Sequence, residues 1–268
     1  MKKSLLAAAA AVLAAAAAVP AAAAEGLPVR PAVTSLSKVP SNVMIIGNSY
    51  TYYNCGVFDY MFGFAADRKI DIKTAQATIA GADLDWQPVE ALINPKGDSH
   101  KFYKRNKDGV LFDTVLLQPN SMSPVDPKRV PSFRKYAAEH VAAIRRAGGE
   151  PALVLTWARK GKPEMTAQLA ESVIKTANEL KVLVIPVGLA FAEAQKQDPS
   201  VELIMPDKSH PTAAGSYLES AVIFSALTHA SLEGSRYYGG CEKPLNPKTA
   251  AFLQKVSWET VKSFYGWK

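Results

Sequence analysis

The sequence predicts a three-layer α/β/α sandwich built on about five parallel strands. Two observations predict it. Short, nearly continuous apolar runs recur along the chain, as strands buried on both faces require. Segments of helical periodicity separate them, which favours right-handed crossovers and therefore a parallel sheet with helices on both faces. No fixed repeat points to a solenoid or coiled coil instead.

The elements follow in order. Residues 42–46, ending at Gly47, read as the first strand. Residues 57–69 space Phe58, Met61, Phe62 and Ala65 as a helix. Residues 70–78 alternate like a second strand, residues 84–93 suggest a short helix, and 113–118 form a third strand. Residues 132–147 set Phe133, Ala137, Val141 and Ile144 on one stripe, stopped by Gly148 and Gly149. Residues 151–157 and 182–187 are strands four and five, with a helix over 164–180 between them. Two helices, 212–229 and 247–264, close the chain, the first opened by Pro211, a residue favoured at the first helical position.

The chain has 268 residues, two cysteines and a formal charge of +7. Met1, Lys2 and Lys3 precede an alanine-rich stretch ending in Ala22-Ala23-Ala24, so residues 1–24 read as a signal peptide with cleavage near Ala24. The expected location is therefore periplasmic or secreted. Pro28, Pro31 and Pro40 mark residues 25–40 as an extended lead-in, and residues 41–268 as one domain. Beyond residue 24 no run reaches the roughly 18 apolar residues of a membrane span. The absence of C-x-x-C and H-E-x-x-H motifs gives no reason to expect a metal. Five basic residues between Lys96 and Lys107 read as a solvated loop over the sheet edge, with an anion-attracting rim as the alternative. They lack a recognisable nucleic-acid module, and no nucleic-acid partner is expected.

Open parallel sheets bind ligands outside the carboxyl ends of their strands. There the first strand runs into Gly47-Asn48-Ser49, the third into Gln118-Pro119-Asn120-Ser121, and Asp207-Lys208-Ser209-His210-Pro211 precedes a helix. A serine hydroxyl needs a base to take its proton, and an imidazole serves best when a carboxylate fixes its tautomer. Ser49, His210 and Asp207 supply those groups, although Ser49 also fits a helix N-cap and Asp207 a solvated loop. The Ser49 and Gly81 amides and the Asn120 side chain could hold a developing oxyanion, although Gly81 and Asn120 also suit plain turns. Trp157 and Arg159, at the end of strand four, are candidates for substrate contact or for packing and surface pairing. Cys55 and Cys241 are a possible disulfide in an exported chain.

Taken together and in this order, these segments resemble the SGNH (GDSL-type) hydrolases from about residue 45 to 218. Gly47-Asn48-Ser49-Tyr50 is similar to the family's G-D-S-L block, Gly81 to its oxyanion glycine, Gln118-Pro119-Asn120-Ser121 to G-x-N-D, and Asp207–Pro211 to D-x-x-H-P. Asn48, Gln118 and Ser121 depart from the usual aspartate, glycine and aspartate. The resemblance implies a flavodoxin-like sandwich and metal-independent, cofactor-free ester hydrolysis. The expected substrate is a small-molecule or glycan ester of an acetyl or short acyl group. An O-acyltransferase with the same catalytic residues and a non-catalytic glycan-binding protein on this scaffold are the alternatives, and the oligomeric state is not legible.

Overall fold

The computed structural model describes residue 27 and residues 29–94 and 103–268. The expected signal peptide, and residues 95–102 of the basic loop, lie outside the described residues.

Five strands form one sheet: β1 (Asn42–Gly47), β2 (Lys73–Thr78), β3 (Thr114–Leu117), β4 (Glu150–Val154) and β5 (Leu183–Ile185). All neighbours pair in parallel, in the order β2-β1-β3-β4-β5. The helices are α1 (Ser49–Tyr52), α2 (Gly56–Arg68), α3 (Val89–Ile93), α4 (Val130–Arg146), α5 (Met165–Leu180), α6 (Val187–Gln197), α7 (Ala213–Thr228) and α8 (Pro247–Tyr265). α7 packs against α2, α6 and α8 on one side, while α4 packs against α3, α5 and β4 on the other. This is the three-layer sandwich expected from the sequence. Chain order runs outward from β1 to β2 and in the opposite direction from β3 to β5, so the topological switch falls between the carboxyl ends of β1 and β3.

The differences from the sequence reading have physical causes. The helix expected over 84–93 is a 3-10 turn, Leu84–Trp86, followed by α3, because Gln87 is extended and Pro88 has no N–H to continue the ladder. α6 escapes periodicity because Val187, Gly188, Leu189, Ala190 and Phe191 are all buried, so no polar face marks it. Pro211 does not open α7. It pairs with Ile204 in an antiparallel bridge, and Thr212 caps the helix by accepting from the Gly215 amide at 3.2 Å.

The described lead-in is fastened along the amino edge of the sheet. Lys38 and the Ser41 and Asn42 amides all bind the Asp113 carboxylate, and Ser37 binds Glu150. The described part of the basic loop lies at this same edge, where the Lys104 carbonyl accepts from Asn42 and Tyr103 donates to the Thr74 carbonyl. The alternative of an anion-attracting rim beside the site is therefore corrected for this part, which sits at the opposite edge of the sheet. Among the described residues no helix is long and apolar enough to cross a membrane.

Cys55 and Cys241 form a disulfide with Cα atoms 5.4 Å apart, closing a sequence separation of 186 residues. In the chain-entropy model a loop of that length stabilises by about 5 kcal/mol. Unfolded without reductant, the protein should titrate no free thiol, and reduction should lower its melting temperature by about 10–20 °C. In the middle of α7, Glu219 is fully buried with no hydrogen-bond partner among the described residues. Burial pushes its carboxyl well above the usual carboxylate range, so the fold carries it neutral. A group of raised pKa costs stability as pH climbs past its unfolded value. Glu219→Leu should therefore stabilise the protein more at pH 7 than at pH 4, as read by urea unfolding at both.

Candidate active site

β1 delivers the chain to Asn48, whose extended backbone (φ −139°, ψ −153°) makes it the N-cap of α1. The Asn48 side-chain oxygen accepts from the Tyr50 amide at 3.1 Å, and its NH₂ group donates to the carbonyls of Ala82 at 3.1 Å and Pro119 at 3.4 Å. An aspartate could accept the first bond but could not donate the other two. Asn48 is thus the cap, and Ser49, partly exposed, is the first helical residue.

Ser49 Oγ lies 2.9 Å from His210 Nε2, and His210 Nδ1 lies 2.6 Å from Asp207 Oδ2. The other Asp207 oxygen accepts from the backbone amides of Ser209 at 2.9 Å and His210 at 3.0 Å. The turn thus closes around one carboxylate, with Lys208 in the left-handed region at φ 66°. The His210 hydrogen bond holds the Asp207 carboxyl below its usual range, against a smaller opposing effect of burial. An ionised acceptor there places the hydrogen on Nδ1 and leaves Nε2 to accept the Ser49 proton.

Aromatic rings fix the imidazole further. Tyr53 stacks on His210 at 4.2 Å between centroids, and Tyr50 meets it edge-on at 5.7 Å. Behind Tyr50, Trp157 stacks at 4.3 Å, and Phe191 stacks on Trp157 at 4.2 Å. Trp157 also donates its indole N–H to the Ser209 carbonyl at 3.0 Å. It is only 1% exposed with both ring faces covered, so of its two readings substrate contact is corrected and packing stands: it braces the Asp207–Pro211 turn from within. Arg159 is half-buried and donates to Ser121 Oγ at 3.2 Å.

Gly81 takes φ +69°, a conformation that a side chain would strain, and its carbonyl accepts from Asn120 Nδ2 at 3.1 Å. The amide orientation of Asn120 is set by a network that sequence reasoning missed. Its Oδ1 accepts from Arg129 at 3.1 Å and from the Met122 amide at 3.1 Å. Arg129 pairs with buried Asp83 at 3.2 Å, and Asp83 also accepts from Ser123. With its oxygen occupied, Asn120 must present its NH₂ group on the other side, one hydrogen to Gly81 and one still available. Among the described residues no group of three or more His, Cys, Asp or Glu side chains forms a metal-binding set.

This architecture shares its fold with solved structures of an SGNH-type protein and of acetylxylan esterases. No family model matches the chain, and no curated protein matches it by sequence. Among solved structures, a DUF4886 family protein from Bacteroides uniformis is 20% identical with a TM-score of 0.63, the match covering 85% of this chain and 96% of that one. A candidate SGNH hydrolase from Slackia heliotrinireducens is 22% identical, with a TM-score of 0.52 over 69% of this chain and 98% of its own. A catalytic mutant of an acetylxylan esterase from Geobacillus stearothermophilus is 14% identical, with a TM-score of 0.53 over 72% and 96%.

Because Trp157 is packed rather than open, its loss should appear first as instability. Trp157→Ala should cost about 3–5 kcal/mol in chemical unfolding. Trp157→Phe, which keeps much of the stack but loses the indole donor to Ser209, should cost less.

Proposed function

We propose that this protein is an exported serine esterase acting on acetyl or other short acyl esters, with carbohydrate as the substrate class. The hydrogen-bonded chain from Asp207 through His210 to Ser49, set at the topological switch of the sheet, carries this reading. Ser49 Oγ attacks the ester carbonyl as His210 Nε2 takes its proton, and ionised Asp207 steadies the imidazolium. The oxyanion is received by the Ser49 and Gly81 amides and the free Asn120 hydrogen. As the first residue of α1, Ser49 has an N–H without an intrahelical acceptor. Collapse of the intermediate expels the alcohol, protonated by His210, and leaves an acyl-enzyme. Water, activated by the same imidazole, then releases the acid and restores Ser49. The residues needed for each step are protein groups alone, and no cofactor enters.

Export is supported by the leader-like residues 1–24 and by the Cys55–Cys241 bond, since disulfides persist in oxidising compartments. The likeness to an acetylxylan esterase supports an acetylated glycan as substrate. A fluorophosphonate probe should label the wild type at Ser49 and fail to label Ser49→Ala; equal labelling of both would sink the reading. Asn120→Ala should lower kcat on 4-nitrophenyl acetate by about 10²–10³. Arg129→Met, which frees Asn120 to turn, should lower kcat in the same direction with little change in KM.

A further inference from the structure

Arg159 links two segments of the candidate site. Its own backbone segment runs beside the catalytic turn: Trp157 donates to the Ser209 carbonyl at 3.0 Å, and the Lys160 amide to the Lys208 carbonyl at 3.0 Å. Its side chain then crosses to Ser121, the residue after Asn120. Ser121 Oγ also receives Tyr50 OH at 3.3 Å, and Tyr50 follows Ser49. The charged head therefore lies between the turn that carries His210 and the strand end that carries Asn120.

Among the described residues no acid pairs with this cation. Asp207 is bound to His210, Asp83 to Arg129, and Glu202 to Lys160. Among the described residues Arg159 forms no ion pair, and its guanidinium donates to a neutral hydroxyl, that of Ser121. A guanidinium has five N–H donors in a planar fork that matches a carboxylate in two parallel bonds. Half-burial weakens the screening that makes a fully exposed pair nearly worthless.

We infer that Arg159 forms a subsite for a carboxylate borne by the ester substrate, beside the bond that Ser49 attacks; this rests on the esterase reading above. The carboxylate can belong to the acyl portion or to the alcohol portion, and paired substrates separate the two. Mono-4-nitrophenyl adipate is compared with 4-nitrophenyl hexanoate for the acyl side. For the alcohol side, 4-acetoxybenzoate is compared with its methyl ester. In one of these pairs the anionic-to-neutral ratio of kcat/KM should fall at least tenfold in Arg159→Gln. The control is Lys162→Gln, which removes an equal charge from an exposed position three residues away and should move that ratio less than twofold. A ratio unchanged by Arg159→Gln in both pairs, or lowered equally by the two variants, overturns the subsite. Calorimetric binding of the two anionic esters to Ser49→Ala, with and without Arg159→Gln, keeps the two ideas apart. Binding that needs Arg159 while the wild type turns over no ester would end the esterase reading and leave the subsite standing. If neither the ratio nor the binding depends on Arg159, the subsite is overturned.

Discussion

The carboxyl end of β1 is where the separate segments of the site are forced into register. The Gly47 carbonyl receives the Ile79 amide at 3.3 Å and the Gln87 side chain at 2.8 Å, which clamp both ends of the loop bearing Gly81. On the other side of Gly47 the Thr51 hydroxyl occupies the space that a side chain at this position would need. From there Thr51 donates to Gln118 at 2.6 Å, joining α1 to the end of β3. One missing methyl group thus lets three chain segments meet within hydrogen-bond reach. An alanine at 47 would drive Thr51 away and loosen the helix that begins at Ser49, although it touches no reacting atom.

Around this knot the polar and aromatic parts divide the work. The carboxylate of Asp207 and the ring of Tyr53 fix the imidazole in position and in tautomer. The column Tyr50–Trp157–Phe191 carries that order down into the core, where rings cannot rearrange without opening voids. On the other side the pair of buried Asp83 with partly exposed Arg129 has little value as net stabilisation, because desolvation of the carboxylate offsets much of the attraction. Its product is direction: Arg129 takes the Asn120 oxygen, and the amide can then face only one way.

The sheet was legible because each of β1, β3, β4 and β5 contains a run of buried apolar residues, including β5 although it lies at an edge. β2 is an edge strand whose residues are mostly half-exposed, and the reading of 70–78 started too early there. Ser49, Asp207 and His210 could be read because each carries a reactive group beside a strand end or helix start. Asp83, Arg129 and Tyr53 could not, because their importance lies in partners. Asp83 and Arg129 are 46 positions apart, and neither looks unusual alone. The only local hint at Tyr53 was the density of tyrosines after Ser49. Trp157 and Arg159 stood at the correct strand end, but residue order does not say which side chain turns inward.

Ser49 and His210 are 161 residues apart in sequence, and the Cys55–Cys241 bond joins positions farther apart still. Loop closure on that scale must be completed before either contact returns any energy, so this chain forms its site late in folding. A fragment that stops short of residue 210 lacks the imidazole of the candidate site altogether. Closing the Cys55–Cys241 bond further requires the chain as far as residue 241, close to the start of α8. Assembly order therefore keeps the two halves of the candidate site apart, because Ser49 is made long before His210, the residue it meets.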